Sequence, residues 1–156
     1  MRIELDDLSR PQVHALLEEH LANMHELSPA EQVFALDLNK LRAPDITFWT
    51  VWQADALMGC GALRELSPTH GEIKSMRTPA AARGRGAGRA ILEHIITVAR
   101  QRGYTRLSLE TGTHAAFGPA HNLYRSKGFE FSGAFGSYLP NEHSVFMELE
   151  LSRSVA

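Results

Sequence analysis

The chain has 156 residues, of which 44% are hydrophobic and 22% charged, and its formal net charge is −2 at pH 7. This composition is typical of a globular protein with a sizeable buried core, and the length predicts one domain over residues 1–156. The sequence contains no run of about 18 apolar residues, so we predict no membrane span. The acidic start at residues 1–7 lacks the apolar core of a signal peptide, and we therefore expect a cytoplasmic protein without a membrane partner.

The N-terminal third of the chain predicts one short strand followed by two helices. Residues 2–5 can form the strand. Ser9 and Gln12 have the spacing of a capping box and predict a helix that runs to about residue 23. The motif Ser-Pro-Ala-Glu at 28–31 combines an N-cap residue, a first-turn proline and a glutamate, which predicts a second helix to about residue 41.

The middle of the chain predicts three strands connected by short turns. They cover residues 47–53, 56–66 and 71–78. Cys60 lies in the second of these strands and is the single cysteine, so it can form no internal disulfide. We expect Cys60 to be a buried small hydrophobic residue.

The second half of the chain alternates helices with strands. Helices are predicted at residues 90–102 and 119–127, and strands at 106–110, from 129 onward, and at 145–151. The first helix has an apolar face with helical spacing, and Gly103 ends it. Because hairpins come first and helical crossovers later, we predict an α/β (α+β) fold with a mixed, mostly antiparallel central sheet and flanking helices.

The segment 83–89, Arg-Gly-Arg-Gly-Ala-Gly-Arg, lies between a predicted strand and a predicted helix. Glycines allow a backbone to approach a ligand closely, and the free N–H groups at a helix start favour an anion. Residues 74–106 carry a net charge of +7, whereas residues 1–40 carry −5. The basic part suits a pyrophosphate ligand, and the acidic part is either a solvated face or a means of steering a cationic amine.

Two common nucleotide-binding patterns do not fit this segment. A dinucleotide fingerprint counted from Gly84 has Arg89 in place of its third glycine, and no Gly-x-x-x-x-Gly-Lys-Ser/Thr string occurs. The pattern present is Arg-x-x-Gly-x-Gly on Arg83, Gly86 and Gly88. It resembles the acetyl-CoA loop of the GCN5-related N-acetyltransferase (GNAT) family.

A second motif strengthens the resemblance. The sequence Leu-Tyr-Arg-Ser-Lys-Gly-Phe at 123–129 is similar to the family's short helix with a tyrosine, followed by Gly-Phe and a strand. Gly128 has the position of a helix C-cap glycine. The resemblance covers roughly residues 46–151, and both motifs occur in the family's order and at its spacing.

The resemblance implies an acyl-CoA N-acyltransferase fold, in which a parallel strand pair splays apart and holds acetyl-CoA in the resulting V. Acetyl-CoA would be the co-substrate, and no metal is implied. The residues expected to bind it are Met76, Arg77, Thr78, Arg83, Gly84, Arg85, Gly86, Ala87, Gly88, Arg89, Tyr124 and Lys127. Among these, the backbone amide of Met76 would point at the thioester carbonyl and act as the oxyanion donor.

The implied reaction is acetyl transfer to a primary amine of a small molecule, an amino acid or a peptide, by direct attack in a ternary complex. Tyr124 matches the tyrosine that protonates the departing thiolate in the family. The base is Glu72, Glu110, or water. Glu72 lies four residues before Met76, and a period of two would put residues 72, 74 and 76 on one face of the strand.

Other features favour neither a metal site nor a nucleic-acid partner. The spacing of His14, His20 and His25 differs from the three or four residues that place side chains on one helix face. No basic surface interleaved with aromatic residues indicates nucleic-acid binding. One departure from the family is Phe117, which occupies the position where an asparagine commonly contacts the pantetheine arm.

Two alternatives and two questions stay open at this point. The fold could serve a non-catalytic acyl-CoA-binding or regulatory module, or the Arg/Gly loop could belong to an unrelated protein that binds nucleotides. The resemblance implies that residues 21–40 and 132–144 form the amine site, but it does not identify the acceptor. The edge of the final strand permits a homodimer without requiring one.

Overall fold

The computed structural model describes residues 1–27, 38–113, 117–136, 138–140 and 142–151. Seven strands form one sheet in the order β1-β2-β3-β4-β5-β7-β6. The strands are β1 Arg2–Leu5, β2 Ile46–Gln53, β3 Ala56–Ser67, β4 His70–Arg77, β5 Arg106–Gly112, β6 Glu130–Ser132 and β7 Ser144–Glu150. The helices are α1 Pro11–Leu27, α2 Leu38–Leu41, α3 Ala87–Gln101 and α4 Gly118–Ser126.

The pairing confirms the predicted mixed, mostly antiparallel sheet. Every neighbouring pair of strands is antiparallel except β4 and β5, which run parallel and are connected through α3. Gly103 ends α3 with a left-handed φ of 83°, as the sequence predicts. Within the described residues, no helix is both long and apolar enough to cross a membrane.

Apolar side chains cover both faces of the sheet. On one face, called the α3 face below, Ile91, Leu92 and Ile95 of α3 are fully buried in a cluster that includes Leu63 and Ile73 of the sheet. On the other, the α1 face, buried residues of α1 and α2 meet the sheet; they are Val13, Leu16, Leu17 and Leu41. Each face buries enough apolar surface to order the central strands.

Cys60 belongs to the α1-face cluster, as predicted for a buried small hydrophobic residue. Its side chain is fully buried, and this burial raises the pKa of the thiol to about 12. The thiol is therefore protonated at neutral pH, which makes it a poor nucleophile.

The predicted capping box at Ser9 is wrong. Asp7 Oδ1 accepts hydrogen bonds from both the backbone N–H and the hydroxyl of Ser9, at 3.0 and 2.5 Å. With its side chain engaged there, Ser9 does not cap the helix, and α1 begins at Pro11. The helix start predicted at 28–31 lies outside the described residues.

A bulge interrupts the pairing of β4 with β3. Lys74 is opposite Ala62 and Arg77 is opposite Cys60, so β4 has one extra residue between these pairs. Within the bulge, Ser75 has a φ of 55°, which is unusual for a residue other than glycine. The prediction that residue 76 shares a face with residues 72 and 74 is therefore wrong.

The environment of Met76 shows the change of face. Its side chain packs against the α3-face cluster, and a Cβ built on Gly61 would lie 2.7 Å from Met76 Sδ. Glu72 instead pairs in register with Arg64, one residue beyond Leu63 of the α3-face cluster. Because side chains alternate along a regular strand, Glu72 lies on the α1 face.

Candidate active site and cofactor groove

The parallel strands β4 and β5 separate halfway along their length. Their register begins at His70 and Arg106 and ends at Ile73 and Leu109. Beyond that point, β4 pairs with β3 and β5 pairs with β7, but the two strands no longer pair with each other. The separation leaves a V-shaped opening in the sheet, with backbone edges available to a ligand on both sides.

The Arg/Gly loop adopts a conformation that glycine makes accessible. Gly84 and Gly86 have φ values of 79° and 86°, in the left-handed region. A Cβ at either position would meet no atom within 4 Å, so the backbone conformation, and not the available space, favours glycine. Gly86 is the N-cap of α3 and offers no side-chain cap, so the first N–H groups of the helix are available to an anion.

The three arginines of this loop are solvent-exposed. Arg83 and Arg85 have no ion-pair partner among the described residues. Arg89 lies one helical turn before Glu93, whose carboxylate is bound by Lys127 at 2.5 Å. Arg83, Arg85 and Arg89 therefore retain the positive charge that a phosphate group would need.

A groove of about 610 Å³ connects the loop with the V-shaped opening. It is lined by ten of the twelve residues that the sequence predicts for cofactor binding: Met76, Arg77, Thr78, Arg83, Gly84, Gly86, Ala87, Gly88, Arg89 and Tyr124. Arg85 and Lys127 are not part of the lining, and Lys127 is engaged with Glu93. The groove also has walls that the sequence analysis did not assign, which are Cys60, Ala82, Ile91, Phe117, Pro119, Ala120 and Leu123.

Tyr124 lies in the wall of this groove on α4. Its side chain is buried, and this burial raises the pKa of the phenol, so the hydroxyl keeps its proton at neutral pH. The ring centroid is 5.7 Å from that of Phe129. Gly128, with a φ of 99°, allows Phe129 N–H to bond the Tyr124 carbonyl at 3.1 Å, which confirms the predicted C-cap glycine.

Phe117 lines the groove and packs against Gly112 at the end of β5. A Cβ on Gly112 would collide with the Phe117 ring, so the glycine leaves the space that the ring occupies. His121 Nε2 hydrogen-bonds the Gly112 carbonyl at 3.0 Å and connects α4 to the same strand end. An apolar ring therefore stands where the family commonly has an amide side chain.

Glu72 forms the centre of a polar cluster on the α1 face. It is only 1% exposed, and its Oε2 accepts a hydrogen bond from the Tyr138 hydroxyl at 2.5 Å. The Lys74 ammonium is 3.7 Å from the same oxygen. Oε1 has no hydrogen-bond partner among the described residues and lies 4.0 Å from Arg64 Nη1. No local pattern in the sequence indicates these contacts of Lys74, Arg64 and Tyr138 with Glu72.

Glu110 lies near Glu72, on the first residue of β5 beyond the parallel pairing. Burial raises the pKa of its carboxyl, and the negative charge of Glu72 acts in the same direction. Its Oε2 has no hydrogen-bond partner in the described part of the chain. Two carboxyl groups, buried at Glu72 and half-buried at Glu110, therefore lie on the α1 face beside the end of the β4–β5 pairing, and each has one buried oxygen without a hydrogen-bond partner among the described residues.

The lining of the groove combines residues from both faces of the sheet. The lining of the groove includes α3-face residues such as Met76 and Ile91, and also Cys60 from the α1-face cluster. Glu72, Glu110 and Tyr138 are not part of this lining. No cluster of three or more His, Cys, Asp or Glu side chains that could hold a metal ion is found within the described ranges.

The chain matches the Acetyltransferase (GNAT) family over residues 13–129. The chain belongs to the GNAT acetyltransferase family. It is 52% identical over 151 residues to the uncharacterised N-acetyltransferase YsnE of Bacillus subtilis strain 168, covering 97% of this chain and 100% of that protein. It is also 41% identical over 137 residues to the IAA acetyltransferase of Azospirillum brasilense, covering 87% of this chain and 88% of that protein.

A solved structure supports the same fold. The chain is similar to a Bacillus subtilis acetyltransferase in complex with CoA, with a TM-score of 0.70, 18% identity, and coverage of 97% of this chain and 99% of that chain. Members of the GNAT family use acetyl-CoA as the acyl donor. The protein is therefore an acetyl-CoA-dependent N-acetyltransferase with an acyl-CoA N-acyltransferase fold, as the sequence predicts.

Proposed function

We propose that this N-acetyltransferase transfers the acetyl group of acetyl-CoA to a primary amine of a small molecule, an amino acid or a peptide, by direct attack in a ternary complex. The proposal treats residues 1–156 as one catalytic domain. The observation that carries it is the end of β4–β5 pairing at Ile73 and Leu109, with the groove beside β4 beyond that point and the carboxyl groups of Glu72 and Glu110 on the α1 face.

The cofactor would lie along the groove. Its pyrophosphate would bind the N–H groups at the start of α3 and the side chains of Arg83, Arg85 and Arg89, because these offer hydrogen-bond donors and positive charge. The pantetheine arm would enter the V-shaped opening, where β4 has backbone edge to offer beyond Ile73. Ser75 and Met76 have no partner in the register with β3, and the Met76 amide is the proposed oxyanion donor.

The acceptor amine would approach from the α1 face. Glu72 would take a proton from the amine as its nitrogen attacks the thioester carbonyl carbon, forming the N–C bond. The C–S bond then breaks, and Tyr124 would give its proton to the departing sulfur, to be reprotonated from solvent. Burial of Tyr124 supports the donor role, because its raised pKa keeps the proton available until a thiolate forms.

The choice of base between Glu72 and Glu110 follows from their environments. Glu72 lies beside two cations, with Lys74 Nζ at 3.7 Å from Oε2 and Arg64 Nη1 at 4.0 Å from Oε1. At Glu110, burial and then the charge of Glu72 raise the pKa of the carboxyl, which disfavours its ionised form. We therefore infer that Glu72, which lies between two cations, is the base rather than Glu110.

An assay of CoA thiol release with a panel of amines tests this proposal. The panel should include small primary amines, amino acids, short peptides with free N-termini, and IAA, the compound in the name of the Azospirillum relative. We expect thiol release that depends on one amine class, with a mass increase of one acetyl group on the amine. Thiol release at the same rate with and without every amine would contradict the proposed acceptor class.

A further inference from the structure

The two oxygens of the Glu72 carboxylate have different surroundings. Oε2 receives the Tyr138 hydroxyl at 2.5 Å and has the Lys74 ammonium at 3.7 Å. Oε1 receives no hydrogen bond from the described residues. Because Arg64 donates to Asp45 at 3.1 Å and is 4.0 Å from Oε1, it supplies charge to Oε1 without occupying it.

A buried carboxylate oxygen without a hydrogen bond is uncommon, because its desolvation is not compensated. Glu72 is 1% exposed, so bulk water does not supply the hydrogen bond that Oε1 lacks. Such an atom has an unused capacity to accept a proton or a hydrogen bond. The asymmetry therefore assigns different tasks to the two oxygens, with Oε2 held by the protein and Oε1 left to the acceptor.

Tyr138 is itself held in place by aromatic neighbours. Its ring centroid is 5.0 Å from that of Phe135 and 5.9 Å from that of Phe146 on β7. Lys74 Nζ donates a hydrogen bond to the Tyr138 oxygen at 3.4 Å. Burial, followed by the charge of Glu72, raises the pKa of the Tyr138 phenol, so the hydroxyl stays protonated and acts as a donor.

We propose that Tyr138 is a positioning residue that fixes Glu72 through Oε2 and thereby presents Oε1 to the proton of the acceptor amine. This inference rests on the proposed function, in which Glu72 is the base. The charged and titratable groups that face Glu72 in the described structure come from each neighbouring element: Arg64 of β3, Lys74 of β4, Glu110 of β5, and Tyr138 between β6 and β7.

Loss of the hydroxyl would remove the hydrogen bond to Glu72 Oε2 and with it the contact that fixes the orientation of the carboxylate. A hydrogen bond to a carboxylate stabilises its ionised form, so Tyr138→Phe should make Glu72 easier to protonate. In the pH profile, kcat/KM falls on the acid side because the base becomes protonated. This fall, the acid limb of the profile, should then occur at higher pH. We expect kcat/KM at pH 7 to fall about tenfold, with an unchanged KM for acetyl-CoA.

The chain offers a matched control in Tyr104. Its hydroxyl also donates to a glutamate, Glu65 Oε1, at 2.8 Å, but its side chain belongs to the α3-face cluster. Tyr104→Phe therefore removes the same chemical group and the same kind of hydrogen bond on the other face of the sheet. This variant should keep the wild-type pH profile.

The experiment combines two readouts on wild type, Tyr138→Phe and Tyr104→Phe. The first is a titration of carbon-13-labelled glutamate carboxyl signals by NMR, with Glu72→Gln to assign the Glu72 signal. The second is the pH dependence of kcat/KM with an accepted amine. We expect the Glu72 titration and the acid limb to move upward together in Tyr138→Phe alone.

The outcomes separate this inference from the proposed function. If the wild type transfers acetyl but Tyr138→Phe keeps the wild-type Glu72 titration or the wild-type pH profile, the positioning role is overturned. If the wild type acetylates no amine, the proposed function fails first, and the assignment of Oε1 fails with it.

Discussion

Glu72 and Met76 lie on opposite faces of the sheet although both belong to β4. The bulge at Ser75 reverses the alternation of side chains between them. Met76 consequently packs on the α3 face beside the cofactor groove, while Glu72 is on the α1 face with Tyr138. In the proposed function, this arrangement would let the acyl donor and the acceptor amine approach the same opening from two sides.

Replacing Glu72 by Gln should remove the base without changing the size of the side chain. At neutral pH most amines are protonated, so we expect kcat to fall about 10²-fold or more. At high pH the amine is already neutral, and the loss should become smaller. The measurement is the pH–rate profile, and unchanged turnover across the whole range would remove Glu72 from the base role.

The Tyr124→Phe substitution tests the proton donor to the leaving thiolate. Without the phenol, the C–S bond must break without acid assistance, so kcat should fall about 10²-fold. The Kd of CoA should change little, because the ring that lines the groove is retained. Steady-state kinetics together with CoA titration would check this, and a wild-type kcat would show that Tyr124 is only a groove wall.

Glu110 should make the stability of the fold depend on pH. Its folded-state pKa is raised by burial, so the folded protein binds the proton more tightly than the unfolded chain does. The stability that this proton contributes is present at low pH and is lost as the pH rises from the usual range of a glutamate through the raised value.

Replacing Glu110 by Gln removes the titrating carboxyl, and with it the free-energy cost of ionising this group in the folded protein. We expect the variant to be more stable than wild type at pH 7, with the difference shrinking as the pH is lowered towards the ordinary range of a glutamate carboxyl. Urea unfolding at several pH values between 4 and 8 is the measurement. A stability difference that stays constant over this range would contradict the assignment.

Gly112 and Phe117 should be coupled energetically. Because a Cβ at Gly112 would collide with the Phe117 ring, Gly112→Ala should destabilise the fold by about 1–3 kcal/mol. In a Phe117→Ala background the same change should cost much less, because the ring is absent. A double-mutant cycle by urea unfolding gives the coupling, and strictly additive effects would show that the two residues do not share this space.

Local patterns in the sequence predict much of the fold. The strand and helix order, the helix that starts after the Arg/Gly loop, and the C-cap at Gly128 all follow from residue types at fixed spacing. The bulge could not be predicted, because its left-handed residue is a serine and not a glycine, and because the extra residue is defined only by the pairing with β3. Likewise, the capping-box spacing does not reveal that the Ser9 hydroxyl and N–H both bond to Asp7, so the hydroxyl does not cap the helix.

The acceptor side of the site was harder to predict than the cofactor side. The Arg/Gly loop and the start of α3 are contiguous, so their chemistry is visible in one short segment. Tyr138 and Glu72 are 66 positions apart, and only the folded sheet brings the hydroxyl to the carboxylate. The sequence named Glu72 and the segment 132–144 that contains Tyr138, but it could not show that the two side chains touch.

The most direct test of the account is calorimetric titration of acetyl-CoA, desulfo-CoA and ATP into wild type, Gly86→Glu and Gly103→Glu. Both glycines have a left-handed φ and open space around a Cβ, so the two variants carry comparable backbone strain, but only Gly86 lines the groove. We predict CoA binding to wild type and Gly103→Glu, its loss in Gly86→Glu, and no comparable binding of ATP. Equal CoA binding by Gly86→Glu and Gly103→Glu would contradict the placement of acetyl-CoA at the Arg/Gly loop.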